Sequence, residues 1–213
     1  MSTNVAGHPI HLALCGFGLA AAGAGAAYAI AALPRSRGPR RAYLLGIAGT
    51  YHPRRLPVGG VIAGTFARCL GIGAGAGRRH ISAEAMGWSQ GISRPGLPPV
   101  MDTVPLCVPL GVHSSQFTVH SSLRAALVFG GLLSVTAASG SRHEAAQRAR
   151  AHPDALAEDM EAFAVALAAR LAGLPLTVIR GVSNVAGDRD TARWRTAEAL
   201  AAGRTVLEHL LER

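Results

Sequence analysis

The chain has 213 residues, 49% of them hydrophobic and 15% charged, which is enough apolar material for one domain with its own core and too much for intrinsic disorder. Its formal net charge of +9 comes from 21 arginines and no lysine, set against twelve acids; residues 1–83 hold nine arginines and no Asp or Glu, while residues 84–213 are neutral. No arginine run is interleaved with aromatics as a single-strand binder needs, and Cys15, Cys69 and Cys107 form no C-x-x-C pair, so nucleic acid, a disulfide framework and a zinc cluster are not expected and a reducing, cytoplasmic setting is.

Residues 12 to 33, LALCGFGLAAAGAGAAYAIAAL, are uncharged and run into the basic flank PRSRGPRR. An uncharged stretch of about 20 residues is long enough to span a membrane, and basic residues beside it fit a cytoplasmic anchor. Four glycines and many alanines leave the stretch only weakly hydrophobic, however. It also divides into a short strand, IHLALCG (10–16), a glycine turn, and an alanine helix over 19–33 ending before Pro34. A βα unit with no membrane partner is the expectation. A signal peptide is a poorer fit, since the positive charge follows the apolar region.

AYLLGI (42–47) and VGGVIAG (58–64) predict two further strands, and residues 71–103, rich in Gly, Pro and Ser, a long loop. RAALVFGGLLSVT (124–136) supplies a strand in its second half. SRHEAAQRARA (141–151) has the charge spacing of an exposed helix. Residues 159–172 predict an apolar helix stopped by Gly173 and Pro175. LPLTVIRGV (174–182) is a buried strand, and a last helix runs from Asp190, a plausible N-cap, to Leu211. Strands alternating with helices predict an α/β sandwich around a mixed or mostly parallel sheet.

Ligands of such sheets sit at the carboxyl ends of the strands. Three of these ends read GIAGTY (46–51), SVTAASGS (134–141) and IRGVSN (179–184): small residues, then hydroxyls and an amide, suited to a flat polar ligand near backbone N–H groups. Taken alone, each is also an ordinary tight turn, and G-x-G-x-x-G is absent. Glu161 is sharper. It stands at the head of the apolar helix, where the helix dipole favours a carboxylate, as a ligand-binding acid or as a helix-start acid satisfied by nearby amides.

EDMEAFAVALAARLAGLPLTVIRGVSN (158–184) resembles the purine nucleoside phosphorylase and nucleosidase superfamily. There a Met-Glu pair opens a helix, and the next strand ends in Arg-x-x-Ser-Asp or Asn. GIAGTY is similar to that superfamily's Gly-x-Ala-Gly turn and LPVGGVIAG to its VGD-V strand. AEAMGW (83–88), VTAASGS (135–141) and SNVAGDRDTARW (183–194) resemble the futalosine hydrolases within it, nucleosidases of the alternative menaquinone pathway. The resemblance covers about residues 10 to 212. It implies a three-layer α/β sandwich with a central mixed sheet, nucleoside phosphorylase-like and shortened at its N-terminus, as a single domain over residues 1–213.

The resemblance also implies roles. Glu161 would accept the ribose 2′- and 3′-hydroxyls, with Met160 packed under the sugar. Gly49 would face the ribose and the attacking water. Ala138 and Ser139 would meet the base, Arg180 and Ser183 would lie near the water, and Asn184 would contact the N7 edge of the purine. A 6-oxopurine shows two acceptors there, N7 and O6, which the amide donors of Asn184 suit and an ionised aspartate would not. Asn184 and Glu161 are thus the expected catalytic residues.

Members of the family begin with a further strand and a loop whose glutamate activates water. Here no carboxylate occurs in residues 1–83, and His8, His11, His52 and His80, the basic candidates there, match none of its positions. The expected activity is hydrolysis of futalosine to hypoxanthine and a dehypoxanthinyl sugar product. The alternatives are another 6-oxopurine nucleoside phosphorylase or nucleosidase, and a nucleoside-binding protein that has lost its base. A small nucleoside is the expected partner, the chain a homo-oligomer, with no metal, cofactor, nucleic acid or membrane.

Overall fold

The computed structural model describes residues 2–5, 7–33, 41–91, 96–108 and 127–212. The flank at 34–40 and the first part of the apolar run 124–136 lie outside the described residues. The chain opens with an antiparallel hairpin of β1 (Ser2–Val5) and β2 (His8–His11), then helix α1 (Gly18–Ala31). The strand expected over 10–16 is therefore divided. Its start belongs to the hairpin, outside the main sheet, and residues 12–16 have no regular structure. The cause is packing along α1: a Cβ on Gly25 would overlap the Cys15 carbonyl, so the segment lies against its own helix.

Strands β3 (Ala42–Thr50), β4 (Val61–Leu70), β7 (Thr103–Pro105), β8 (Leu127–Val135), β9 (Ala155–Asp159) and β10 (Leu176–Val185) form the main sheet. A small hairpin of two-residue strands, β5 (Gly73–Ala74) and β6 (Ile81–Ser82), interrupts the long loop. The main sheet has the order β10-β3-β9-β8-β4-β7, and β10 also pairs with β4, so five strands close into a ring with β7 outside it. Pairings β10–β3, β4–β8 and β8–β9 are parallel; β10–β4, β3–β9 and β4–β7 are antiparallel. The sheet is mixed, one of the two arrangements the alternation left open and the one the family resemblance implies.

Helix α3 (Ala162–Leu171) covers one face and α4 (Thr196–Leu211) the other, with α1 packed on the outer side of α3. The alternation of β10 assigns the faces: Val178 and Val182 join a core with Phe163, Val165 and Ala169, while Ile179 meets Ala202 and Val206 of α4. Helix α2 (Arg142–Ala151) precedes β9. Helix α3 ends as the sequence predicts. Gly173, at φ +68°, lets Leu174 N–H reach Ala169 O (2.9 Å) and Gly173 N–H reach Arg170 O (3.0 Å), a Schellman closure.

Two local expectations change. The helix expected from 159 starts at Ala162, because Asp159 is the last residue of β9, a strand the sequence analysis did not find. ALAED is short, buried throughout and poor in β-branched residues, so neither alternation nor propensity marks it. Asp190 caps a three-residue 3-10 turn, Thr191–Arg193, through Ala192 N–H (3.3 Å); α4 starts only at Thr196.

Candidate active site

Register brings four carboxyl ends together. Asn184 at the end of β10 pairs with Gly49 of β3, Gly49 with Glu158 of β9, and Asp159 with Ser134 of β8. The three segments chosen from sequence, 46–51, 134–141 and 179–184, thus meet around the end of β9. Gly49 is closely surrounded there: a Cβ would lie 3.3 Å from Ala186 Cα and 3.4 Å from Asn184 Nδ2.

Asp159 and Arg180 form the buried centre, their side chains 0% and 3% exposed. Asp159 Oδ2 accepts from Arg180 Nε (2.8 Å) and Nη2 (2.6 Å) and from Ala162 N–H (3.0 Å), while its Oδ1 accepts from Ser134 Oγ (2.6 Å). Ser134 Oγ in turn accepts from Phe163 N–H (2.8 Å), so two first-turn amides of α3 are satisfied from this pair. A Cβ on Gly46 would overlap Arg180 Nη1, which is why the GIAG segment, expected as a turn and found inside β3, begins with glycine. Arg180, expected near a water, instead serves first as the partner of Asp159. A desolvated pair is tolerable when its facing groups are hydrogen-bonded, as Nε and Nη2 of Arg180 and both oxygens of Asp159 are.

Glu161 differs from its neighbour. It occupies the N-cap position of α3 but makes no side-chain cap bond there. Its Oε1 accepts from Gly18 N–H, the first amide of α1, at 3.1 Å, and its Oε2 from Arg180 Nη2 at 3.3 Å. The carboxylate is held by two long contacts between the starts of two helices, where the dipoles favour its charge, and 16% of its side chain stays exposed. Cys15 borders the cluster: burial raises its thiol pKa, and the charge of Arg180 opposes that rise.

Asn184 is half-buried. Its Oδ1 accepts from Ser183 Oγ (2.8 Å), and Nδ2 donates to Val185 O (3.0 Å). One amide N–H is so occupied, leaving one for a ligand where the sequence analysis counted two. Ser183, fully buried, orients Asn184 and also reaches Ala48 O (3.4 Å). Met160 packs, partly buried, against Leu133, Val135 and Ala155 beside Tyr51. Ala138 is half-buried. Ser139 is fully buried and turned inward: its N–H and Oγ both donate to Glu158, at 2.8 and 2.6 Å. Its side chain is spent on that carboxylate, so the backbone near Ala138 is what the loop can offer a ligand.

Sequence reasoning missed Asp159, Glu158, Ser134, Arg148 and Tyr51. A signal existed: of the twelve acids in the chain, three fall at 158, 159 and 161. Tyr51 Oη donates to Glu158 Oε2 at 2.8 Å, and burial, then the Glu158 charge, pushes the phenol pKa far up. Among the described residues no group of three His, Cys, Asp or Glu could hold a metal, and no helix is long and apolar enough to cross a membrane.

A family model, the phosphorylase superfamily, matches residues 1–212. A futalosine hydrolase of Streptomyces coelicolor is 48% identical over 73 residues, 34% of this chain and 31% of that one. A futalosine hydrolase of Acidothermus cellulolyticus is 41% identical over 73 residues, 34% of this chain and 30% of that one. The matched stretch is thus about a third of each curated relative. Among solved structures, a 5′-methylthioadenosine/S-adenosylhomocysteine nucleosidase from Neisseria meningitidis, in complex with methylthio-immucillin-A, superposes with a TM-score of 0.75 at 22% identity, covering 99% of this chain and 84% of that one. One from Colwellia psychrerythraea, in complex with adenine, gives 0.71 at 21%, covering 100% and 86%. At these identities the likeness establishes the fold.

Proposed function

The chain belongs to the phosphorylase superfamily, and from that premise we propose that it is a nucleosidase of the futalosine hydrolase type, splitting futalosine into hypoxanthine and its dehypoxanthinyl product. The observation that carries the reading is the contrast between two neighbouring acids. Asp159 is saturated and sealed, whereas Glu161 has one long contact on each oxygen and an exposed edge at the junction of the carboxyl ends. A carboxylate with unused lone pairs can accept two sugar hydroxyls. Asn184, with one amide N–H uncommitted, can donate to N7 or O6 of a 6-oxopurine.

Cleavage of the N-glycosidic bond builds positive charge on the ribose ring and negative charge on the leaving base. Water adds at the anomeric carbon, and the base departs with a proton. Glu161 supports the cationic sugar through its hydroxyls, and the Asn184 N–H bond strengthens as the purine becomes anionic; interactions that strengthen in this way lower the barrier. Met160 would line the sugar side, Gly49 would leave room for ribose, and Ala138 would offer backbone to the base. The two futalosine hydrolases support the choice of substrate within the superfamily. The reading places the reaction in menaquinone biosynthesis, in the cytoplasm, with the chain a single domain in a homo-oligomer and no metal or cofactor.

A second reading, nucleoside binding without turnover, is favoured by one observation: residues 1–83 contain no carboxylate to activate water. The test is release of hypoxanthine from futalosine and from inosine, with and without inorganic phosphate. Phosphate-independent release from futalosine supports the proposal. A requirement for phosphate makes the protein a phosphorylase, and binding without release makes it a binding module.

A further inference from the structure

Glu158 has no role in the proposed cleavage, yet it is 6% exposed and accepts four hydrogen bonds. They come from Tyr51 Oη (2.8 Å), Ser139 N–H (2.8 Å), Ser139 Oγ (2.6 Å) and Arg148 Nη1 (3.1 Å). Ser139 N–H and Arg148 can only donate, one on each carboxylate oxygen, and the two hydroxyls are able to donate as well, so the pocket fits a carboxylate. The donors belong to three separate segments: the turn after β3, the loop after β8, and α2. Arg148 is fixed in its turn by Glu144 Oε1 (2.6 Å), whose Oε2 accepts Gly140 N–H (2.8 Å). Ser141 Oγ accepts Glu144 N–H (3.2 Å) as the N-cap of α2.

The loop 136–141 is consequently tied from behind at Ser139 and Gly140. It needs such ties: Thr136 and Ala137 are exposed, Ala138 is half-buried, and none brings a large side chain to the core. A loop of small residues loses much conformational freedom on binding unless it is ordered beforehand. Resting on the nucleosidase reading, we infer that Glu158 is a positioning residue. It holds the loop 136–141 in the shape whose backbone receives the purine, and so sets the affinity for the base without touching it.

Calorimetric titration with hypoxanthine and steady-state kinetics with futalosine test this in the wild type and in Glu158→Gln, Ser139→Ala and Tyr51→Phe. Glutamine at 158 keeps one acceptor and sets its NH2 group against a pure donor either way round, Ser139 N–H on one side or Arg148 Nη1 on the other, so the base Kd and the KM should rise about ten- to hundredfold, with kcat within about fivefold because Glu161 and Asn184 are untouched. Ser139→Ala removes one donor and keeps the N–H; about three- to tenfold weaker base binding is expected from it, whether or not Glu158→Gln folds. A base Kd within about twofold of wild type in the folded variants, or a fall in kcat at constant KM, would leave Glu158 as a structural staple and overturn the inference. Failure of the underlying reading shows separately and first, as a wild-type protein that neither binds a purine base nor cleaves a nucleoside.

Discussion

Helices α1 and α3 are alike as sequences: GLAAAGAGAAYAIA and AFAVALAARL, alanine-rich and almost without charge. Their surroundings are opposite. Of α3, seven of ten residues are buried; of α1, only Ala22 and Ala26 among fourteen. Helix α3 lies between the sheet and α1. Helix α1 has one face on α3, close enough for a Cβ at Gly23 to sit 3.4 Å from that of Ala164, and presents Tyr28, 78% exposed, on its other side. Hydropathy specifies that a helix can be buried; its place in the layer order specifies whether it is. The difference extends to the polar cluster at the strand ends. The head of α3 carries Glu161, with Asp159 directly below it, while α1 contributes one amide, that of Gly18.

If the head of α3 is the organising centre, the largest effect belongs to the acid sealed beneath it. Asp159→Asn leaves buried Arg180 with only the long contact to Glu161 as counter-charge, and a loss of about 3–5 kcal/mol in unfolding free energy is expected from the denaturant midpoint. A loss below about 1 kcal/mol would mean that water or Glu161 takes over as partner, and the ion pair would not be the centre.

Next comes Glu161→Gln, which keeps the shape and removes the charge. Turnover should fall by about two to three powers of ten, with an unfolding midpoint near that of wild type, since a charge-assisted contact aimed at the transition state is lost. Wild-type turnover would return Glu161 to the role of a link between the two helix starts.

Asn184→Asp sharpens the comparison from the neighbouring strand. It keeps the acceptor for Ser183 Oγ but removes the donor to Val185 O and the one left for a base. The ratio of kcat/KM for inosine-type over adenosine-type substrates should move towards adenine by about ten- to a hundredfold, at on the order of 1–3 kcal/mol per mismatched hydrogen bond. An unmoved ratio would show that Asn184 does not read the base.

The smallest effect is expected on α1. Tyr28→Ala should change stability by no more than about 0.5 kcal/mol, as surface positions do. A loss above about 2 kcal/mol that depends on protein concentration would show that another chain covers this face, and the two helices would be buried alike after all.

Much was legible from residues 159 to 184 alone: the helix stopped by Gly173, the buried strand β10, and Glu161, Arg180, Ser183 and Asn184 as a group. Hydrophobic period, a helix stop and a strand ending in polar side chains are local signals, written in adjacent residues. The same holds for the carboxyl ends of β3 and β8, each an apolar run closed by small residues. The partners of the buried charges were not legible. Asp159 read as the start of a helix, and ALAED gave no alternation by which β9 could be placed.

The sequence by itself determined the α/β alternation around one sheet and the identity of the polar residues at the strand ends. Tertiary structure decided which of those residues are free to act. Glu161 meets Gly18 from 143 positions away, Ser183 reaches Ala48 across 135, and Tyr51 finds Glu158 across 107. Such pairings follow from strand register and layer order. A carboxylate becomes a sealed counter-ion or an open acceptor according to how many donors that register delivers to it, a number that no window of sequence contains.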